Sequence, residues 1–279
     1  MPAWGTHKTV SVGGYRIAYT DTGNGRPVLL LHGYGGEIAL WHHQVSALSS
    51  RYRVLAPDLL GHGFSDKPRL HYTPQLFVKT VTGFFDSLDL ERVTVIGHSM
   101  GGAIAMALAM ERPGRVDRVV LIDSLTPGFT LRTLVLKTAY SLRHVPLLFK
   151  LYLSLPGTLT TRISLSYMLH DKTRMTEEMV ATFHAVKRLE GFHHTLVSVS
   201  RHLGEWNHFG SLLRGVKQPT LILWGEQDRY LPVEDGYRLK AAIPDSRLII
   251  IPKTGHIPMW EQPEFVNREI ASFLDAHSH

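Results

Sequence analysis

A serine between closely spaced glycines is the sharpest chemical feature of the sequence. It lies in Gly97-His98-Ser99-Met100-Gly101-Gly102, after the apolar run Val93–Ile96 and before the helical run Ala103–Met110. On a tight strand-to-helix turn the hydroxyl of Ser99 stands exposed, and the flanking glycines remove side chains that would collide. Because a free serine hydroxyl is a poor nucleophile, the chain must also supply a base and an acid that orients it.

An aspartate and a histidine follow Ser99 in the order that such a site needs, the acid first and the histidine second. Asp228 lies just past one apolar run, and His256 lies just past the next. Because the carboxyl ends of parallel strands meet at one edge of a sheet, the three residues can converge there. We expect His256 to take the Ser99 proton and return it to the leaving group, while Asp228 holds the imidazole tautomer.

Two other acids compete with Asp228 for the orienting role. Glu226 lies two residues earlier, close to the strand end, and Asp123 follows an earlier strand. Glu226 is too close to its strand end and Asp123 lies one strand too early for the geometry of a triad, so we favour Asp228.

Acyl transfer also needs backbone N–H groups aimed at the developing oxyanion. The amide of Met100 is one candidate, since the residue after the nucleophile opens a helix. The second candidate lies in the glycine-rich turn His32-Gly33-Tyr34-Gly35-Gly36, where we choose the Tyr34 amide, with Gly33 supporting the loop. This turn lacks the Lys-Ser/Thr ending of a phosphate-binding loop, so no nucleotide is expected.

Most of the seventeen histidines have no predicted role in the chemistry. His32 and His98 flank the site, and we expect them to brace their loops by hydrogen bonds rather than titrate in catalysis. The pairs His42-His43 and His193-His194 lack a partnering carboxylate motif, so we predict no metal site. The turn that contains Asp58 and Ser65 needs unusual backbone angles at its glycines, and we expect these two residues to pin it.

The elements that must position these residues alternate along the chain. Apolar runs separated by amphipathic stretches predict an α/β protein with a mostly parallel, eight-stranded sheet and helices on both faces. The predicted strands are Thr9–Val12, Ile17–Asp21, Val28–His32, Arg53–Pro57, Val93–Gly97, Val116–Asp123, Thr220–Trp224 and Arg247–Ile251, the first two as a hairpin. The predicted helices are Trp41–Ser50, Pro74–Leu88, Met100–Arg112, Val233–Ile243 and Pro263–Ala276.

The alternation stops between Ser124 and Pro219, where helical spacing takes over. This stretch is too long to be a loop and predicts a helical subdomain inserted after the sixth strand. We therefore expect a core domain of residues 1–124 and 215–279 and a helical cap (lid) of residues 125–214. The apolar residues expected to form the cap's packed faces, and in part to roof the pocket, are Leu134, Val135, Leu147, Leu148, Phe149, Leu151, Tyr152, Leu153, Met168 and Phe183.

Five stretches together make the chain resemble the α/β-hydrolase fold superfamily, in its large group of capped serine hydrolases of the carboxylesterase and lipase type. These stretches are His32-Gly33, the segment from Pro57 to Ser65, the glycine-rich serine turn, the segment from Trp224 to Asp228, and Gly255-His256. The resemblance covers most of the chain and implies a hydrolase of carboxylic esters that works through an acyl-enzyme, without a cofactor or metal. It is specific for the fold and the triad and weakly specific for the substrate.

Individual residues of this chain indicate which of the superfamily's activities it fits. A serine nucleophile argues against dehalogenases and epoxide hydrolases, which use an aspartate there. Hydrolases of carbon–carbon bonds in ring-cleavage products usually carry Asn before the nucleophile and Trp after the histidine, where this chain has His98 and Ile257. Carbon–carbon hydrolysis, lactonase or perhydrolase activity and a slow-turnover small-molecule receptor remain alternatives, whereas a scaffold without chemistry would leave the triad unexplained.

Composition bounds the remaining possibilities. The chain has 279 residues, 44% of them hydrophobic and 19% charged, which is ordinary for a globular protein. It has no cysteine, which excludes disulfides, thiolate metal sites and a cysteine nucleophile. The formal net charge is +6, and the segment from Thr126 to Arg214, with eleven Lys and Arg against five Asp and Glu, carries an excess of the same size.

The distribution of charge and apolar residues indicates the partners. The basic residues of the cap segment are scattered singly, so we expect no nucleic-acid binding. They could steer anionic substrates, or make transient contact with lipid surfaces, while an apolar cap suits an apolar ester. The run from Val145 to Leu155 is too short to span a membrane, and the first ten residues lack the apolar core of a secretory signal, so a cytoplasmic location is expected.

Overall fold

Eight strands form one sheet in the computed structural model, which describes residues 7–129 and 158–276. The strands are β1 (Lys8–Val12), β2 (Tyr15–Thr22), β3 (Pro27–Leu31), β4 (Arg53–Pro57), β5 (Val93–His98), β6 (Val116–Ile122), β7 (Thr220–Gly225) and β8 (Ser246–Ile251). Their order in the sheet is β1-β2-β4-β3-β5-β6-β7-β8. The β1–β2 and β2–β4 pairs are antiparallel and the others are parallel, which confirms the predicted mostly parallel, eight-stranded sheet.

Helices cover both faces of this sheet. In the described ranges they are α1 (His42–Leu48), α2 (Pro74–Ser87), α3 (Met100–Glu111), α4 (Leu159–Met168), α5 (Glu177–Ala185), α6 (Phe192–His202), α7 (Val233–Ala242), α8 (Pro258–Glu261) and α9 (Pro263–Ala276). Segments of 3-10 helix lie at Ile38–Trp41, Lys172–Arg174, Val186–Arg188 and, over 13 residues, Leu203–Gly215. Predicted and observed bounds of the core helices differ by two residues at most.

The central strands are buried on both faces, as expected from their unbroken apolar runs. Leu29, Leu31 and Val95 face an apolar layer that includes α2 and α3. The alternate residues Val28 and Leu30 face a second layer that includes α1 and α9. This double packing holds the ends of β3 and β5 rigidly, and the loops that could do chemistry leave from those ends.

The segment between β6 and β7 contains helices α4 to α6, in agreement with an inserted helical region. Of the predicted cap-face residues, Met168 and Phe183 pack against the second apolar layer. The other eight, Leu134, Val135, Leu147, Leu148, Phe149, Leu151, Tyr152 and Leu153, lie outside the described residues. The cap boundaries at 125 and 214 remain predictions. Within the described ranges, none of the helices combines the length and the apolar character needed to cross a bilayer.

Candidate active site

Ser99 occupies a strained turn between β5 and α3. Its φ is 52° and its ψ is −120°, a conformation that a non-glycine residue adopts only when its surroundings impose it. A Cβ added to Gly97 would overlap the carbonyl oxygen of Gly101, and one added to Gly101 would overlap that of Leu31. The glycines are therefore required because the strand, the turn and the helix approach one another so closely.

The glycine-rich turn after β3 lies directly against Ser99. A Cβ added to Gly33 would lie 2.8 Å from the Ser99 Cβ and 3.3 Å from its Oγ. Tyr34 follows Gly33, and its hydroxyl donates to the carbonyl oxygen of Leu196 in α6 at 3.1 Å. Met100 is the first residue of α3, where an amide has no acceptor inside the helix. The structure thus brings the segments with the two predicted oxyanion donors next to Ser99.

His32 braces this turn, as the sequence predicted. Its Nδ1 lies 2.8 Å from the Gly33 carbonyl oxygen, and its Nε2 accepts from the Leu59 amide at 3.0 Å. One donor and one acceptor on the same ring require the neutral Nδ1–H tautomer. Burial lowers the pKa of His32 to about 4, which keeps the ring neutral at physiological pH.

Asp228 and His256 form a buried hydrogen-bonded pair. The Asp228 Oδ2 lies 2.7 Å from the His256 Nδ1, and its Oδ1 accepts from the amides of Tyr230 at 2.6 Å and Leu231 at 3.1 Å. The Tyr230 ring stacks on the imidazole with a centroid distance of 5.0 Å and an interplanar angle of 20°. A carboxylate on Nδ1 leaves the lone pair of Nε2 for proton transfer.

His98 supports the loop that carries His256. Its Nε2 lies 2.7 Å from the backbone carbonyl oxygen of His256, to which it can donate. Burial lowers the pKa of His98 well below its ordinary value, so this ring is neutral. The residue before Ser99 therefore ties the end of β5 to the loop after β8.

The two competing acids have other hydrogen-bond partners. Glu226 accepts a hydrogen bond from the Gln227 side chain at 2.6 Å, in an exposed position. Asp123 is fully buried, and its Oδ1 accepts from the Gly225 amide at 2.8 Å. Burial, followed by the charge of Asp228, raises the pKa of Asp123 well above its ordinary value, so it is a neutral acid next to the Asp228 carboxylate. Of the three acids, Asp228 is the one bonded to His256.

Glu261 is a buried residue of this region that the sequence analysis missed. Its Oε2 accepts from the Gly255 amide at 2.6 Å, and its Oε1 accepts from the amides of His170 and Asp171, both at 2.9 Å. One carboxylate therefore joins the loop before His256 to the segment that follows α4. The only hint in the sequence is an acid that follows the apolar stretch after His256, and such a hint does not reveal a partner about ninety residues away.

The backbone makes the same connection. The His256 amide donates to the Met168 carbonyl oxygen at 2.6 Å, and a Cβ added to Gly255 would overlap that oxygen. The end of α4 and the histidine loop thus form one packed unit.

The turn around Asp58 has the pinning role that the sequence predicted. Asp58 accepts from the amides of Ile38 at 2.8 Å and Phe64 at 2.6 Å. The Ser65 hydroxyl donates to the Asp58 carbonyl oxygen at 2.7 Å and accepts from the Ala18 amide at 2.9 Å. Within the part of the chain that the structure describes, no three His, Asp or Glu side chains are grouped to hold a metal ion.

Comparisons with known proteins agree with this geometry. The family model described as alpha/beta hydrolase fold matches residues 26–263. The chain is 30% identical over 278 residues to a 2-hydroxy-6-oxo-2,4-heptadienoate hydrolase of Pseudomonas putida, covering 96% of each protein. It is 32% identical over 270 residues to a 2-hydroxy-6-oxononadienedioate/2-hydroxy-6-oxononatrienedioate hydrolase of Comamonas testosteroni, covering 93% of this chain and 91% of that protein.

A solved structure is similar over the same extent. The meta-cleavage product hydrolase from Pseudomonas fluorescens has a TM-score of 0.86 and 27% identity to this chain, covering 96% of this chain and 97% of that one. The family match spans the glycine-rich turn, the serine turn and both residues of the buried pair. The chain belongs to the α/β-hydrolase fold family and is a serine hydrolase.

Proposed function

We propose that this hydrolase cleaves carboxylic esters, with Ser99 as nucleophile, His256 as general base and Asp228 as the acid that orients it. The observation that carries the proposal is the buried 2.7 Å contact between Asp228 Oδ2 and His256 Nδ1, beside a serine held at a positive φ. This arrangement supplies a nucleophile, a proton carrier and an orienting charge.

In the acylation step, Ser99 Oγ attacks the ester carbonyl carbon while its proton passes to His256 Nε2. The oxyanion receives hydrogen bonds from the amides of Tyr34 and Met100, and collapse expels the alcohol, which takes the proton from His256. Water then gives a proton to His256 and attacks the acyl-enzyme. Release of the carboxylic acid returns the proton to Ser99 Oγ.

Two positions support an ester rather than a carbon–carbon bond as the target. The side chain of His98, before the nucleophile, bonds to the His256 carbonyl oxygen instead of being free for substrate. Ile257, after the histidine, is fully buried in the second apolar layer. Both positions serve the packing of the loops, since the Nε2 of His98 is used by the backbone and Ile257 has no polar side-chain group.

Carbon–carbon bond hydrolysis is the second candidate, because the relatives from Pseudomonas putida and Comamonas testosteroni are named for oxo-dienoate substrates. These substrates carry carboxylates. The cap segment contains a half-buried ammonium group, Lys187, whose pKa burial lowers to about 8. A carboxylated substrate would offer such a group a partner.

The test is a series of p-nitrophenyl esters with acyl chains from two to about sixteen carbons, measured beside 2-hydroxy-6-oxo-2,4-heptadienoate. Ser99→Ala should abolish turnover, and the chain length with the highest rate would measure the pocket. Ser124→Ala, the same change in a nearby buried serine that bonds to its own loop, is the control.

An active Ser99→Ala protein would exclude the proposal. Faster turnover of the dienoate than of every ester would assign carbon–carbon hydrolysis to the same residues. Saturable binding with negligible turnover of either class would favour the receptor alternative.

A further inference from the structure

A cavity lies at the amino edge of the sheet, the edge opposite to the one that carries Ser99. Its volume is about 550 Å³, within the range of small-molecule sites. Its walls come from the first residues of β3, β5 and β6 and from the residue before β7. The lining residues are Arg26, Pro27, Tyr52, Arg92, Thr94, Asp117, Arg118, Pro219 and Ala276.

Arg118 forms a buried wall of this cavity. It pairs with Thr94 in the register between β5 and β6, and it points to the same sheet face as Val120 and Ile122, which belong to the second apolar layer. Only 6% of Arg118 is exposed. Within residues 7–129 and 158–276, its guanidinium takes part in no hydrogen bond and no ion pair. The guanidinium nitrogens are not among the buried polar atoms without a partner, so they reach the open space of the cavity and present a charge there that no group of the described residues pairs.

The other charges around the cavity do not supply that partner. The Asp117 carboxylate forms an ion pair with Arg92. Asp275, which lies close to Tyr52, is held by the Arg51 guanidinium at 3.0 Å. Arg26 stands exposed at the rim. Three guanidinium groups therefore face one carboxylate that is already paired, and the excess of two positive charges matches a dianion.

We propose that this cavity binds the phosphate group of a small molecule, with Arg118 and the hydroxyl of Thr94 at its buried wall and Arg26 at its rim. Guanidinium groups recognise phosphate by paired N–H donors, and a hydroxyl adds a further donor. The cavity is larger than phosphate alone, and Pro27, Pro219 and Ala276 offer apolar surface to an organic body. The site is independent of ester hydrolysis.

Isothermal titration calorimetry on the full chain tests this proposal with inorganic phosphate and phenyl phosphate as soluble probes. Vesicles of phosphatidylcholine that contain phosphatidic acid test a lipid headgroup, and sodium chloride at matched ionic strength is the blank. We expect saturable binding that Arg118→Met weakens at least tenfold and Arg26→Gln weakens severalfold. Arg247→Met is the matched control, since Arg247 lies near the start of β8, is exposed and pairs with Glu269.

Thermal unfolding supplies a second readout. Without phosphate, the Tm of Arg118→Met should lie close to that of the wild type, because methionine keeps most of the aliphatic stem that is buried at this position. Phosphate should raise the Tm of the wild type and leave that of Arg118→Met unchanged. Ester hydrolysis should be the same in both proteins.

Binding to the soluble probes assigns the cavity to soluble phosphate esters, and binding to vesicles alone assigns it to a lipid phosphate. No saturable binding to any probe, or equal binding by Arg118→Met, overturns the proposal. If Arg118→Met does not fold, the exposed rim variant Arg26→Gln decides by the same criterion.

Discussion

The carboxyl edge of the sheet buries acids, whereas the amino edge buries a cation. In the residues that the structure describes, the buried acids follow the ends of five strands, and they are Glu37, Asp58, Asp123, Asp228, Asp235 and Glu261. Arg118 is the buried residue of opposite charge, and it lies near the start of β6.

Backbone amides explain this difference, most of them in the loops that leave the strand ends. In a parallel α/β sheet the helix N-termini and their free amides lie at the carboxyl edge, where they stabilise negative charge. Asp228, Asp58 and Glu261 each accept at least two backbone N–H bonds there. The amino edge receives helix C-termini, which favour a cation but provide Arg118 with no hydrogen bond. The fold thus supplies hydrogen bonds to Asp228, Asp58 and Glu261 at one edge, whereas the guanidinium of Arg118 at the other edge is open to the ligand that we propose.

The largest expected effect comes from Asp228→Asn at the carboxyl edge. The amide would favour the wrong tautomer of His256, so we expect kcat/KM to fall by about 10⁴-fold while the protein stays folded. Steady-state ester hydrolysis with circular dichroism measures this. Asp235→Asn is the control, as a buried acid of the same edge that bonds to Thr126 at 2.9 Å. A loss below tenfold would show that Asp123 or Glu226 orients the histidine.

The next effect concerns the turn that faces Ser99. In Gly33→Ala the new methyl group would lie 2.8 Å from the Ser99 Cβ, which displaces the Tyr34 amide from the oxyanion. Loss of one oxyanion donor costs about 10²–10³ in kcat, so a fall of that size is expected. Gly114→Ala, where the added methyl meets nothing within 4 Å, is the matched control. An unchanged kcat would remove this turn from the proposed mechanism.

A smaller effect is expected at the junction between the cap segment and the histidine loop. Glu261→Gln keeps the size of the side chain, but its NH₂ group must face an amide donor, so at least one hydrogen bond is lost. Such a bond to a charged group is worth about 1.5–3 kcal/mol. We expect about 1.4 kcal/mol of it to be lost from the positioning of His256, which is a fall of about tenfold in kcat. Glu264→Gln, the same change in an exposed residue of α9, is the control. If Glu261→Gln lowers the Tm and leaves kcat intact, the residue has no positioning role.

The smallest effect on rate, and a clear one on stability, is expected for Glu37→Gln. Burial, followed by the charge of Asp58, raises the pKa of Glu37 from 4.5 to about 8. The native state therefore holds a proton that the unfolded chain releases, and the free energy of unfolding should fall as the pH rises from about 4.5 to about 8. The Gln variant has no titrating group at this position, so its free energy of unfolding at pH 8 should exceed that of the wild type by ~2–4 kcal/mol. Urea unfolding of both proteins between about pH 4.5 and pH 8 measures this difference, and Glu91→Gln, the same change in an exposed residue, is the control. If the free energy of unfolding of Glu37→Gln falls with pH as steeply as that of the wild type, the assignment is contradicted.

The sequence by itself determined the sheet and the serine turn. Central strands such as Val28–Leu31 are apolar on both faces, and the glycines around Ser99 are needed by contacts within a few residues. Both signals are local, because periodicity and steric demand act over a few neighbours. The predicted strands therefore agree closely with those observed, and the serine turn lies where the sequence placed it.

The tertiary structure decided which distant side chains meet. Spacing left Asp228, Glu226 and Asp123 in competition, and only the packing of β6, β7 and β8 joins Asp228 to His256. The roles of Glu261 and the isolation of Arg118 could not be read from the chain, because a hydrogen bond across ninety residues, or the lack of a partner, depends on where separate elements come together. Local residue types determine which elements form, whereas burial and long-range contacts determine which charges are satisfied.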